Sequence, residues 1–367
     1  MKLHKLFTAI LILLYTSIYA QVDVAKIKES TDAFSKKHAD VGTIILVEKQ
    51  GELINYATGF SNKEKGKKAK TKNLFEIGSA SKMVTAIAVL QLVEKGKLSL
   101  NTPINKFFPD GKIKNLANFK GKNYWDKVTV EMLLNHTSGF IDYLNVYGDD
   151  EKALKMFSVR GKVYSSEEIY NLAVNHGDAN FIPGEKFKYC NTGYIILGDI
   201  ISRLSGMNWR DYIQKNIFDK VGMKNTYFGS RLTKKAKRRM MRGHYKGKPS
   251  FMPPTLAGSA GEIVSCTKDL EKFLLAWHGG KLYLRPETLQ MQQTKGFHQM
   301  YEDYKVLTYG YGVMQVAGFY GHGGQTFGFQ SYVVYNPTKK IAYVIGVNDA
   351  TVSPMSLFFL LENISFF

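Results

Sequence analysis

The stretch EIGSASKMVTAIAVLQLVEKG, Glu76 to Gly96, puts small residues and a lysine directly ahead of a long apolar run. The pattern predicts a helix from Ser81 to Lys95, stopped by Gly96. Positions i and i+3 share one helix face, so Ser79 and Lys82 point the same way about one turn apart. A serine is a weak nucleophile until a base takes its proton. A lysine that is partly desolvated, or held near another cation, is neutral often enough to serve. The helix start adds backbone N–H groups where an oxyanion would develop. Taken alone, S-x-x-K is also what an N-cap serine and a snorkelling lysine would look like.

Outward from that helix, TIILVEKQGELINYATGF (43–60) reads as two strands around a Gln50-Gly51 hairpin turn. The lysine-rich stretch SNKEKGKKAKTKN (61–73) reads as a solvated loop. Residues after Gln21 to about Lys37 carry apolar side chains at helical spacing, namely Val24, Ile27, Ala33 and Phe34. Helical signals dominate from Ser79 to about Met223, with Thr129 and Ser165 or Ser166 as N-caps and a helix over NTGYIILGDIISRLSG (191–206). Strand patterns return after Gly258, notably SYVVYNPTKKIAYVIGVN (331–348) around Asn336-Pro337, and a last helix is predicted over Pro354 to Ile364.

This β–α–β order predicts an α/β protein of the α+β type: an antiparallel sheet flanked by helices, with an inserted, mainly helical lobe. The expected partition is residues 1–20 as a signal peptide, 21–78 with 251–367 as a discontinuous α/β lobe, and 79–250 as the helical lobe, with the active site between them. The signal reading rests on Lys2 and Lys5, the short apolar run Leu6 to Leu14, and Ala20 before Gln21. It implies an exported, soluble protein, periplasmic or secreted. Gln21 is not cysteine, which argues against a lipid anchor at that cut.

At 367 residues, with 44% hydrophobic and 13% aromatic content, the chain can build a large core and needs no staple. Its two cysteines, Cys190 and Cys266, leave two alternatives, one bridge or two buried thiols. The net charge of +19 implies weak attraction to anionic surroundings. The basic run RLTKKAKRRMMRGHYKGKPS (231–250) lacks the interleaved aromatics of a base-stacking surface, so no specific nucleic-acid partner is expected and a solvated loop between lobes is the reading adopted.

Two more stretches bear on the chemistry: FKYCNTGY, with Tyr189-Cys190-Asn191, and FYGHGGQTFGF, with His322-Gly323-Gly324. In order, S-x-x-K, Y-x-N and H-x-G resemble the signature of the penicillin-recognising serine hydrolases, in the class C β-lactamase branch with its D,D-carboxypeptidase, D-aminopeptidase and esterase relatives. Flanking words are similar as well: LFEIGSASK, GKLSLNTPINKFFPD, VTVEMLLNHTSGF, FIPGEKFKYCNTGYIILGDII, AGSAGEIVSCTKDLEKF, YGYG and GHGGQTFGF. The resemblance runs from about Val41 to Asp349.

The resemblance implies a β-lactamase/transpeptidase-like fold and a set of roles. Ser79 is implied as the acyl-accepting nucleophile, Lys82 as its proton partner, and Tyr189 as the general base and acid, its proton made labile by nearby ammonium charge. Asn191 would bond Lys82 and the substrate amide. The backbone N–H groups of Ser79 and Gln325 would form the oxyanion hole, and Gly323 and Gly324 would let substrate approach the strand. The sequence departs from the branch at His322, where its β-lactamases mostly carry lysine; a partly charged histidine would hold a carboxylate weakly and with pH dependence. Cys190 is expected to point inward as a small hydrophobe, and His136 to make a fold-supporting hydrogen bond. No metal-ligand spacing links His176, His244, His278 or His298 to other ligands, so neither metal nor cofactor is implied. The leading expectation is a hydrolase of D-amino-acid, cell-wall-type peptides, then small esters, then β-lactams. A catalytically inactive binder or sensor on the same fold is the alternative, and a polyanion-binding surface protein is a third reading. Oligomeric state is not legible.

Overall fold

The computed structural model describes residues 23–144, 148–301 and 306–364. The signal-peptide stretch 1–20 lies outside them. Among the described residues the main sheet has eight strands, β1 (Thr43–Lys49), β2 (Glu52–Thr58), β3 (His298–Gln299), β4 (Leu307–Tyr309), β5 (Met314–Val316), β6 (Phe319–Gln325), β7 (Gln330–Asn336) and β8 (Ile341–Val347). Their spatial order is β3-β4-β5-β6-β7-β8-β1-β2. Every neighbouring pair is antiparallel. The N-terminal hairpin is thus hydrogen-bonded to the C-terminal strands, Thr43 opposite Val347 and Lys49 opposite Ile341. Gln50 and Gly51 both take positive φ, 52° and 94°, as a two-residue hairpin turn requires.

Strand periodicity decides which side chain meets which layer. Ile44 and Leu46 enter one apolar core, while Ile45 and Val47 enter another on the opposite face. The second core is closed by helices α1 (Val24–Lys37) and α5 (Met355–Ile364), through Ile27, Phe34, Leu357, Phe358 and Leu361. The first is larger. It contains α2 (Ser81–Glu94), α3 (Asn191–Ser205) and α4 (Thr267–His278), the last supplying Leu270, Phe273, Leu274 and Trp277. With helices on both faces, every residue of β8 is buried.

Helix α2 is the centre of this arrangement. Every residue from Ser81 to Leu92 is buried, so it has no solvent face at all. A helix apolar all round belongs inside a core, and Lys82 is carried in with it, at 0% exposure. Thr129 caps the helix Val130–Leu134, and Ser165 forms a reciprocal capping box with Glu168 at Ser166–Val174.

The basic run 231–250 differs from the solvated loop expected of it. It contains the helix Lys234–Arg239, capped by Thr233, with Ala236 fully buried. The Arg239 guanidinium donates to the Lys72 carbonyl at 2.9 and 2.7 Å and to Asn225 Oδ1 at 2.6 Å. His244 is buried and its Nε2 sits 2.9 Å from Glu64 Oε1. Arg242 Nε lies 3.4 Å from Glu64 Oε2, so part of the positive charge of the run is tied to a carbonyl and a carboxylate. Cys190 and Cys266 are free, buried thiols, which decides between the two alternatives.

Candidate active site

The chain enters the site from the short strand Phe75–Glu76, which pairs with Ile263–Ser265. Gly78 then takes φ of +53°, and Ser79 sits in the 3-10 turn Gly78–Ala80 that leads into α2. Gly78 has no room for a side chain: a Cβ there would lie 2.7 Å from the Gln325 backbone nitrogen. That close approach brings the Ser79 segment against the end of β6. On β6 itself, a Cβ on Gly324 would lie 1.8 Å from the Ile77 carbonyl oxygen, whereas one on Gly323 would meet nothing nearer than 3.6 Å. Gly324 is thus required by packing against the serine segment. Gly323, half-buried, is the glycine where a side chain would find only ordinary contact, with Tyr332. The two do not share the single reason first given for them.

Lys82 Nζ makes three contacts: 3.0 Å to Ser79 Oγ, 2.7 Å to Asn191 Oδ1 and 2.9 Å to the Ala260 carbonyl. Burial pulls its pKa down to about 7, against the opposing pull of Asp142. A neutral amine has two N–H groups and one lone pair. Asn191 Oδ1 and the Ala260 oxygen can only accept, so they take the two N–H groups, and the lone pair is left for the one partner able to donate, the Ser79 hydroxyl.

Asn191 opens α3 and its amide is oriented by Asp142, a residue the sequence reading missed. Asp142 Oδ2 accepts from the Asn191 backbone N–H at 3.0 Å and from Nδ2 at 2.8 Å, while Oδ1 accepts from the Leu144 N–H at 2.9 Å. The one available signal was a lone acid in the apolar word HTSGFIDYL (136–144).

Tyr189 stands beside this cluster, with Lys82 Nζ 4.9 Å from its ring centroid. Its ring is partly open, but its hydroxyl is buried with no hydrogen-bond partner. Burial pushes the phenol pKa well above its ordinary value; the nearby Ser79 hydroxyl is the one group favouring ionisation. This differs from the expectation of a labile phenolic proton: desolvation outweighs the one favourable contact, from Ser79. His136, held at φ of +60°, brackets Tyr189 on both sides. Its carbonyl accepts from Lys188 N–H at 3.0 Å, its Nδ1 accepts from Cys190 N–H at 3.2 Å, and its ring packs 4.2 Å from that of Tyr189. Cys190 points inward, its thiol pushed up to about 12 by burial.

His322 also corrects an expectation. It is 0% exposed, with Nε2 3.0 Å from Tyr309 Oη and Nδ1 against the Gly323 carbonyl. Burial and the Lys82 charge pull its pKa down to about 3. It is a neutral imidazole at physiological pH, not a partly charged carboxylate anchor.

Two cavities meet at Ser79. One, of about 240 Å³, is lined by Asp142, Tyr143, Asn191, Met252 and Phe327, among others. The second, of about 430 Å³, runs along β6 past His322, Gly323, Gly324 and Gln325 and is walled by Met300, Met314, Tyr332 and Met355. Ser79, Tyr189 and Gln325 line both. Seven of the eight residues singled out in the sequence line these two cavities, and the eighth, Lys82, is buried behind them, bonded to Ser79 and Asn191.

Comparison with known proteins agrees with this geometry. The profile of the Beta-lactamase family matches residues 27–356. The chain is similar to Penicillin-binding protein 4* of Bacillus subtilis strain 168, 31% identical over 196 residues, 53% of this chain and 39% of that protein. It is also similar to Protein flp of Staphylococcus aureus strain MW2, 25% identical over 329 residues, 84% of this chain and 59% of that protein. The chain thus spans about two-fifths to three-fifths of the length of these curated relatives. Among solved structures, the D-amino acid amidase of Ochrobactrum anthropi SV3, complexed with L-phenylalanine amide, superposes with a TM-score of 0.78 at 24% identity, covering 92% of this chain and 97% of that one. The octameric penicillin-binding protein homologue of Pyrococcus abyssi gives a TM-score of 0.78 at 26% identity, covering 94% and 77%. The fold is the β-lactamase/transpeptidase-like one. With residues 27–356 matched and serine, lysine, tyrosine and asparagine brought together in one place, this chain belongs to the Beta-lactamase family.

Proposed function

We propose that the protein cleaves amide or ester bonds through an acyl-enzyme on Ser79, in a cleft between the α/β lobe (21–78 and 251–367) and the helical lobe (79–250). Lys82 takes the Ser79 proton as Oγ bonds to the substrate carbonyl carbon. The oxyanion faces the backbone N–H groups of Ser79 and Gln325. Tyr189, protonated at rest, gives its proton to the leaving amine or alcohol, and the Lys82 ammonium restores it. Water then releases the acyl group. Asn191 holds Lys82 and the substrate amide, and Gly323 lets substrate lie along β6 next to the buried, neutral His322. No cofactor enters these steps.

The observation carrying this reading is the environment of Lys82, where two obligate acceptors and one hydroxyl leave a lone pair facing Ser79. D-amino-acid peptides of the cell-wall type and small esters are the proposed substrates; the fold shared with a D-amino acid amidase and the likeness to penicillin-binding proteins support that class. The N-terminal signal pattern supports export to the periplasm or medium. Among the described residues no helix is long and apolar enough to cross a membrane.

The test is covalent labelling with a fluorescent penicillin and a fluorophosphonate, followed by turnover of D-Ala-D-Ala peptides, D-amino-acid amides and p-nitrophenyl esters. Labelling that disappears in Ser79→Ala is expected. Folded protein that no probe labels would point instead to a binder on the same fold.

A further inference from the structure

We infer that Asp142 is a positioning residue of the Ser79 reaction: it fixes the Asn191 amide so that only the carbonyl faces Lys82, and it is the anion that balances the Lys82 charge. The inference rests on the reading of Ser79 and Lys82 above. Asn191 Oδ1 lies 2.7 Å from Lys82 Nζ. An amide flipped by half a turn would present an NH₂ group there, donor against donor. Asp142 excludes the flip, because its Oδ2 can only accept and already holds both Asn191 Nδ2 and the Asn191 backbone N–H. The carboxylate is itself held: it is 6% exposed, and its other oxygen is engaged by the Leu144 N–H.

The second half of the inference follows from what else faces Lys82. Its neighbours from α3 and the residues ahead of it are Tyr189, Cys190 and Tyr194; from β6, His322; and from the turn after Val130–Leu134, His136. The phenols and the thiol are pushed up by burial and stay protonated, and both imidazoles are pulled down and stay neutral. Burial raises the pKa of Asp142 as well, opposed by its hydrogen bonds from Asn191 and Leu144 and by the Lys82 charge. Those contacts favour its carboxylate form, so among the described residues acting on Lys82 it is the one that can bring a negative charge into the site. Removing that charge favours the neutral amine.

Two variants of the full chain separate positioning from charge. In Asp142→Asn the side-chain carbonyl can still accept from both Asn191 groups, at the expense of the Leu144 contact, but the charge is gone. The acid limb of kcat/KM for p-nitrophenyl acetate is expected to move toward lower pH by about one unit. In Asp142→Ala the amide is free to turn, and kcat is expected to fall on the order of 10- to 100-fold across the profile, with KM nearly constant. Melting curves accompany both. An unmoved limb in Asp142→Asn, or a folded Asp142→Ala enzyme with full kcat, overturns the inference. Should Asp142→Ala fail to fold, the limb of Asp142→Asn decides alone. Hydrolysis that survives in Ser79→Ala would overturn the Ser79 reading instead, and is recognised by that control.

Discussion

Lys82 on α2 and His322 on β6 are both basic, both at 0% exposure, and both lose their proton more easily than in water. Yet Lys82 ends near pH 7 and His322 near pH 3. Burial acts on each in the same direction, so burial does not separate their functions. Their starting values and neighbours do. Lys82 begins at 10.5 and has the Asp142 carboxylate pushing back; His322 begins at 6.5 and has the Lys82 charge pushing further down. One wall of the cleft therefore holds a base that titrates in the working range. The other holds a neutral imidazole whose nitrogens face a phenol and a carbonyl. Desolvation supplies the perturbation, and the sign of the nearest charge decides whether it is chemically useful.

The largest effect that would sharpen this contrast is on rate. Lys82→Ala is expected to lower kcat/KM by about 10²- to 10⁴-fold, with secondary structure retained by circular dichroism. A variant that keeps its rate would make Lys82 as much a bystander as His322.

On the opposite wall the largest expected effect is on stability. Gly324→Ala drives a Cβ into the Ile77 carbonyl and should cost about 3 kcal/mol or more in denaturant unfolding. Gly323→Ala, one residue away with ordinary clearance, should stay within about 1 kcal/mol and show its effect in KM instead. Equal losses at the two sites would break the distinction between a packing glycine and an access glycine.

The pH dependence tests the contrast directly. Protonated Lys82 has no lone pair for the Ser79 proton, so kcat/KM is expected to rise with pH through about 7 and then level off. A flat profile across neutrality would remove Lys82 from the role of resting base. The smallest expected effect is on the His322 side. The ratio of kcat/KM for a peptide with a free C-terminal carboxylate to that for its amide should stay constant between about pH 5 and 8, because a neutral imidazole gains no charge there. A ratio that climbs as pH falls would restore the charged histidine first expected.

Much of this was legible in the chain because it depends on local rules. The hairpin at Gln50-Gly51, the capped helices at Thr129 and Ser165, the antiparallel pair around Asn336-Pro337 and the spacing of Ser79 to Lys82 all follow from backbone preferences and side-chain period. Much of the run 231–250 is exposed, as its charge suggested, but its helix and fixed contacts were not legible, because the partners of Arg239 and His244 lie at Lys72 and Glu64, far away in sequence. Asp142 was missed for the same reason: a single carboxylate has no period, and its meaning comes from Asn191, forty-nine residues on.

The amino-acid order alone determined the element types, the placing of Lys82 one turn from Ser79, and the family, since these are set by neighbours within a few positions or by words of fixed spacing. Tertiary structure alone decided which groups hold protons. Solvent exclusion and long-range charge set the states of Lys82, Tyr189 and His322, and neither quantity exists until β6, α2 and α3 close around them.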